Sequence, residues 1–264
     1  FNNTIVPPAQ AGTVSVDSIT GASANLSQSA GTLSVGLGGI TLYTLNQSNG
    51  TLTSLGPINL TNYIQSGGNL TGNSSFTTVS FDQSGGVTLI LGALNAANYT
   101  QSNGTTTLGS MTVNGSYNQT GGQTNVTGNA NITTAGTMLL GNLTVGGALN
   151  ANSTGGNINQ TSGTLMSITG LASFNALSGV VTLNPGNSFA GGDSIIDING
   201  DRNNPAASDQ WVYQSTMTQG GTTLFAPLPK TQTKDTQGTL KSIAFNDDVI
   251  LLGQDNNEFE ELNS

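Results

Sequence analysis

The 264-residue chain carries four basic and thirteen acidic side chains, so charged residues make up 6% of it, against roughly a quarter in typical soluble domains. It has no His and no Cys, which excludes zinc sites built on those ligands, disulfides, cysteine nucleophiles and Ser-His-Asp triads. Four basic residues in a chain of net charge −9 provide no surface for nucleic acid, and no apolar run reaches the roughly 18 residues of a membrane-spanning helix.

The uneven distribution of charge predicts three segments in chain order. Residues 1–12 form an extended N-terminal arm. Residues 13–190 form a nearly neutral body, in which Asp17 and Asp82 are the charged side chains. Residues 191–264 contain the basic residues and the remaining acids, and we predict a small β-rich cap or tail there.

One six-residue motif recurs along the body. Its pattern is an apolar residue, any residue, Gln, Ser or Thr, any residue, and Gly. Six copies follow one another at spacings of 19, 18, 18, 18 and 18 residues, and they begin at Leu26, Leu45, Tyr63, Phe81, Tyr99 and Tyr117. A seventh copy begins at Ile158, after a span of degenerate units. Five nearly equal spacings indicate a structural repeat rather than low complexity.

Between the motifs the sequence favours strands of three to five residues separated by turns. Thr, Val and Leu alternate with polar residues, and Gly, Asn or Ser interrupts each run, as in 107–113. A unit of 18–19 residues is too small to bury its apolar face alone, whereas stacked units pair through parallel hydrogen bonds at a spacing of about 4.8 Å. We therefore predict an all-β fold, a parallel β-helix (β-solenoid) with 18–19-residue coils.

Residues one period apart are expected to lie directly above one another. One row is aromatic, and a row of glutamines forms an amide ladder in which each side chain bonds to its neighbours above and below. The predicted aromatic row is Tyr63, Phe81, Tyr99 and Tyr117. The predicted amide row is Gln47, Gln65, Gln83, Gln101 and Gln119. A third, inward-facing row begins with Leu33, Leu52 and Leu70 and continues with threonines from Thr88.

These units resemble the repeat regions of secreted bacterial β-helix proteins of the filamentous-haemagglutinin and autotransporter-adhesin type. The resemblance rests on units such as 99–108 and 117–126, which are rich in Gly, Asn, Thr and Ser and contain neither Lys nor Cys. It covers about two-thirds of the chain. It implies a right-handed β-helix, secreted or displayed on the cell surface as an adhesin, stalk or fibre, and it implies no catalytic residues.

The sharpest local motif for a ligand lies in the acidic segment. Asp and Asn alternate with other residues there, and oxygen ligands at alternate positions are how a loop wraps a hard cation such as Ca²⁺. The candidate ligands are Asp197, Asn199, Asp201, Asn203 and Asp209. Arg202 stands where an EF-hand loop has Gly, so the alternative is a polar turn between body and tail. No other cofactor is predicted.

A polysaccharide-cleaving or carbohydrate-binding β-helix is the alternative function. Such enzymes line a groove with several carboxylates, whereas Asp17 and Asp82 are far apart in the predicted stack and have no basic partner. We therefore predict that the protein is not an enzyme. Sequons occur through the body, at Asn25, Asn69, Asn98, Asn114 and Asn142 among other positions, but most are expected by chance in a chain so rich in Asn, Ser and Thr.

The two ends of a solenoid expose strand edges, which pair with further strands unless they are capped. In one hypothesis, residues 191–264 cap the last coil. In the other, residues 1–16 or 242–252 dock on a neighbouring subunit and add a strand to its edge. We predict a secreted or cell-surface structural protein, a subunit or fragment of a fibre, stalk or adhesin. Its expected partners are copies of itself, or a surface glycan or protein.

Overall fold

The computed structural model describes residues 4–5, 12–177, 179, 181–184, 186–191, 195–197, 211–215 and 224–228. Among these residues there is no helix, and so none that could cross a membrane. In chain order the strands are β1 (Thr4–Ile5), β2 (Thr13–Gln28), β3 (Thr32–Gln47), β4 (Thr51–Ser54), β5 (Ile58–Gln65), β6 (Asn69–Gly72), β7 (Phe76–Gln83), β8 (Val87–Gln101), β9 (Thr105–Gln119), β10 (Gln123–Val126), β11 (Ala130–Thr134), β12 (Met138–Leu140), β13 (Asn142–Val145), β14 (Leu149–Ser153), β15 (Ile158–Gln160), β16 (Met166–Ile168), β17 (Ala172–Ala176), β18 (Val181–Thr182), β19 (Ser188–Phe189), β20 (Ile195–Asp197), β21 (Trp211–Ser215) and β22 (Leu224–Leu228).

Strands β1–β20 are joined by parallel pairing into one sheet, which winds into a solenoid of about ten coils. Each strand pairs with the equivalent strand of the next coil. The register repeats the sequence period: Asn69 aligns with Val87, and Val87 aligns with Thr105. The predicted fold class is confirmed, because parallel strands stack about 18 residues apart in an all-β chain.

Four of the strands are longer than the three to five residues predicted. β2 and β3 have 16 residues each, and β8 and β9 have 15. Strand pairing continues around the bend between two faces of the solenoid, with register shifts such as those at Ile90/Ala93 and Ala96/Asn98. The small and polar residues that predicted turns therefore also occur at bends inside continuous strands.

The interior is filled by alternate residues of each strand. In β5, Ile58 and Leu60 are buried, whereas Asn59 between them is exposed. The third predicted row is aligned and buried along its whole length, and its members are Leu33, Leu52, Leu70, Thr88, Thr106 and Thr124. Period-2 alternation and the coil period together thus determine which side chains form the core.

Pairing extends past both ends predicted for the body. β1 pairs with β2 through Thr4↔Asn25 and Ile5↔Leu26. At the other end β20 pairs with β17, which continues the solenoid beyond residue 190. β21 and β22 form a separate antiparallel pair. The change in charge near residue 190 therefore does not coincide with the last paired strand.

Candidate functional site

A row of buried glutamines runs through the interior of the first coils. The side-chain Nε2 of each glutamine donates to Oε1 of the glutamine one coil before it, at 3.2, 3.2, 2.8, 2.7 and 2.8 Å along the row. The members are Gln28, Gln47, Gln65, Gln83, Gln101 and Gln119. Gln28 was not in the predicted row, although it occupies the same place in the first copy of the motif. We call this row the amide ladder.

Each amide of the ladder also bonds around the glycine corner. Nε2 of Gln65 donates to the carbonyl oxygen of Val87 at 3.1 Å, and Oε1 of Gln65 accepts the hydroxyl proton of Thr88 at 2.7 Å. Thr106 and Thr124 donate in the same way to the next two glutamines of the ladder, at 2.6 and 2.7 Å. The ladder therefore joins successive coils and also joins two faces of the solenoid.

The threonines were predicted as an inward row, but their hydrogen-bonding role was missed. A sequence signal was present: the row changes from Leu to Thr at Thr88, and a hydroxyl in a core position requires a partner. Tyrosines supply further hydroxyls to this network. The Tyr63 hydroxyl lies 2.9 Å from Thr88 Oγ1, and the Tyr99 hydroxyl lies 2.8 Å from Thr124 Oγ1.

The four predicted aromatic rings form one buried stack beside the ladder. Ring centroids are 5.0 Å apart between Tyr63 and Phe81, 4.9 Å between Phe81 and Tyr99, and 5.0 Å between Tyr99 and Tyr117. The last two pairs are nearly parallel, at 12° and 10°. Offset stacking at this spacing adds to the energy of burial, so the row fixes the coil register from inside.

Burial also changes the acidity of these phenols. Loss of solvation raises the pKa of Tyr99 to about 12, and hydrogen bonds with Thr124 and Thr106 reduce this rise. Burial raises the pKa of Tyr63 and Tyr117 as well, and for Tyr117 the nearby Tyr99 hydroxyl adds to the increase. The network is thus composed of neutral groups near pH 7.

The amide ladder ends inside the solenoid. In the next coil Leu140 occupies its position, since Leu139 aligns with Asn118. Oε1 of Gln119 accepts from the backbone N–H of Gly141 at 3.1 Å, and its Nε2 donates to the Asn142 carbonyl at 2.8 Å. Backbone groups therefore satisfy the last amide in place of a further glutamine.

The seventh motif copy forms a separate amide pair. Gln160 Nε2 donates to Asn187 Oδ1 at 3.0 Å, and Asn187 Nδ2 donates back to Gln160 Oε1 at 2.8 Å. The backbone N–H of Met166 also donates to Asn187 Oδ1 at 2.8 Å. Asn187 lies outside the repeated motif, so the spacing analysis did not find this pair.

The two carboxylates of the body do not form a pair. Asp17 lies in β2, and Asp82 lies in β7, aligned with Ile64 and Thr100. Three coil steps separate the two residues, which corresponds to roughly 14 Å along the stack. Around them the exposed side chains are mostly Thr, Ser and Asn, so the outer face of the body is neutral.

The predicted calcium ligands lie largely outside the described residues. Asp197 is in β20, where its backbone aligns with Asn175. The other four candidates are not among the described residues: Asn199, Asp201, Asn203 and Asp209. Within the described part of the chain, no group of three or more Asp or Glu side chains is placed to hold a metal ion.

The first coil differs from the next in the exposure of its inward-facing residues. Val16 is 38% exposed, whereas Val35, with which it aligns, is 2% exposed. Val14 and Ile19 in the same strand are also only partly buried. Of the described strands, only β1 pairs with β2 on this side, at Asn25 and Leu26. An apolar end of the stack is therefore left partly open by the residues that the structure describes.

One family model matches part of the chain, and its description is "Repeats of unknown function (DUF5649)". The match covers residues 127–195, which contain the later coils from β11 to β20. No curated protein and no solved structure matches the chain. The family match and the coil geometry together support a repeat β-helix architecture.

Proposed function

We propose that this chain is a subunit or fragment of an extracellular fibre, stalk or adhesin, of the filamentous-haemagglutinin or autotransporter-adhesin type, and that its function is mechanical. The observation that carries the proposal is the continuous parallel pairing of about ten coils from β1 to β20. At the spacing of parallel strands this gives a rod of roughly 45–50 Å. Such a rod separates whatever binds at its two ends.

The interior supports a load-bearing role. Bending or pulling the rod must break backbone bonds between coils, and in the first coils it must also break buried amide bonds. Buried polar groups that lose their partners cost about 1–3 kcal/mol each. The neutral outer face and the absence of Lys and Arg before Arg202 remove every trypsin site from the body, as suits a protein exposed to proteases.

Head-to-tail assembly is the part of the proposal that concerns partners. The open side of β2 offers backbone groups and partly exposed apolar residues such as Val16. A strand edge of this kind pairs with a further strand. A second copy that stacks its last coil on this end would continue the solenoid and bury these residues.

Electron microscopy of the purified chain over a concentration series, with and without calcium, tests the assembly. We expect filaments whose length grows with concentration and whose axial repeat is close to the rod length. Discrete short rods at every concentration would contradict self-assembly. A glycan-binding and protein-binding screen would then test the rod as a monomeric adhesin.

Two matched variants locate the contact. Val16→Lys places a charge on the open end of the stack and should abolish filaments, because a charge buried between coils without a partner is strongly unfavourable. Val79→Lys places the same charge on a residue that is 52% exposed in the fourth coil, within the stack, and filaments should persist. Loss of filaments in both variants, or in neither, would rule out stacking through this end.

A further inference from the structure

Strand geometry exposes the sequons of the body. Side chains alternate between the two faces of a strand, so Asn and the hydroxyl residue of an Asn-x-Ser/Thr sequon point the same way. In Asn69-Leu70-Thr71 the middle residue is buried and Asn69 is exposed. A sequon is the acceptor motif for N-glycosylation. Exposure alone therefore does not distinguish one sequon from another in this protein.

Hydrogen bonds do distinguish them. The side chain of Asn142 is held at both polar atoms: its Nδ2 donates to the Gly122 carbonyl at 3.3 Å, and its Oδ1 accepts from the Leu165 N–H at 3.0 Å. Asn98 is half-buried, and its Oδ1 accepts from Ser116 Oγ at 2.8 Å. A sugar on Asn142 would break a backbone contact between coils.

Two sequons lie instead at the glycine corner, Asn49-Gly50-Thr51 and Asn103-Gly104-Thr105. Both asparagines are exposed. In both, Oδ1 accepts the N–H of the following glycine at 2.8 Å. Because this bond uses the amide oxygen, Nδ2, the atom that carries an N-linked sugar, is left available at the surface.

The corner also leaves space for a glycan. One coil further along, the positions above Asn49 and Asn103 are Gly67 and Gly121, which have no side chains. The two asparagines themselves are 54 residues apart, which is three coils and roughly 14 Å along the stack. Two glycans at these positions would therefore not occupy the same space.

We propose that Asn49 and Asn103 are N-glycosylation sites, and this proposal rests on the cell-surface function proposed above. The donor is a sugar activated through a phosphate or pyrophosphate, and the catalyst is a glycosyltransferase of the source cell. A bond forms between Nδ2 and the anomeric carbon. The bond from that carbon to the phosphate oxygen breaks, its electron pair leaves with the phosphate, and one Nδ2 proton passes to a base of the transferase.

Glycopeptide mass spectrometry of the full chain from its native source tests the proposal. The digestion needs a protease that cleaves at aliphatic residues, because no Lys or Arg precedes Arg202. We expect sugar on Asn49 and Asn103 and none on Asn142. Bare asparagines at both corners, or equal occupancy of Asn142, would overturn the proposal.

Matched variants in the same source separate the sequon from the fold. Thr51→Val keeps the side-chain shape but removes the hydroxyl, so it should lose one glycan mass, and Thr51→Ser should retain it. Thr144→Val, in the sequon of Asn142, should leave the mass of the glycans unchanged. Retention of the Asn49 glycan in Thr51→Val would contradict the assignment. Bare filaments would overturn this proposal alone, whereas glycosylated rods that never assemble would overturn only the head-to-tail proposal.

Discussion

The early and late coils bury their interiors by different chemistry. From β3 to β9 the aligned positions are 18 or 19 residues apart, and the interior contains the amide ladder and the stacked rings. From β10 onward the steps lengthen: Val126, Val145 and Ile168 align at intervals of 19 and 23 residues. Met138 and Leu140 take the places of the ring and the amide there.

The difference indicates which coils must keep a strict period. An amide in the ladder must reach a neighbour on each side within hydrogen-bond distance and with correct direction, so an inserted residue would break the row. Burial of apolar side chains has no direction, and a coil of different length still buries them. The family match at residues 127–195 falls on the coils of variable length.

Removing one rung should have the largest effect. Gln83→Leu leaves the Thr106 hydroxyl, the Thr105 carbonyl and one side of Gln101 without a partner, and we expect a loss of about 3–5 kcal/mol in the free energy of unfolding. The control in the late coils, Met138→Leu, conserves volume and should cost less than about 1.5 kcal/mol. Urea denaturation measures both. Equal losses would show that the polar interior is not the feature that separates the two regions.

Alanine at three glycines tests the corner. Gly86 has φ +77° and a Cβ there would lie 2.6 Å from the Gly68 carbonyl oxygen, so Gly86→Ala should cost about 2–4 kcal/mol. Gly163 has φ +76° but open space around it, and about 1–2 kcal/mol is expected. Gly136 has neither constraint, so its replacement should change stability by less than about 0.5 kcal/mol. Thermal or urea unfolding gives the order, and a different order would contradict the close stacking of corners in the early coils.

Alkaline pH should weaken the early coils. Because burial raises the pKa of Tyr99 from 10 to about 12, the folded chain holds this proton more tightly than the unfolded chain. Its stabilising contribution is fully present below pH 10 and is lost as pH rises through 12. Tyr99 alone should lower the unfolding free energy by on the order of 2–3 kcal/mol over this window. Urea midpoints across this pH range measure the slope.

Tyr99→Phe is the control for that slope. Phe cannot ionise, so stability should fall less steeply with pH than in the unaltered chain. An identical slope in both proteins would mean that the stack does not exclude the phenolate. The late coils have no Tyr among their described residues, and their contribution to the slope should be small.

Most of the fold was predictable because the repeat is written in the sequence. The spacing of the Gln motif predicted the coil length, and period-2 alternation predicted the inward rows, including Asp82 on the outside. The ladder members followed from the same spacing. The hydroxyl partners did not: Gln65 bonds to Thr88, 23 residues away, and Tyr63 bonds to the same hydroxyl across 25 residues. These offsets are not multiples of the period, because they cross the glycine corner.

The sequence by itself therefore determined what depends on one-dimensional order, namely the period, the stacking of equivalent positions and the near absence of charge from the body. Only the tertiary structure decided what depends on the shape of the corner. It ended the ladder at the Gly141 N–H, and it held Asn142 in backbone contacts while leaving Asn49 exposed. The physical reason is that hydrogen bonds require direction and distance in space, whereas a period specifies only which residues lie above one another.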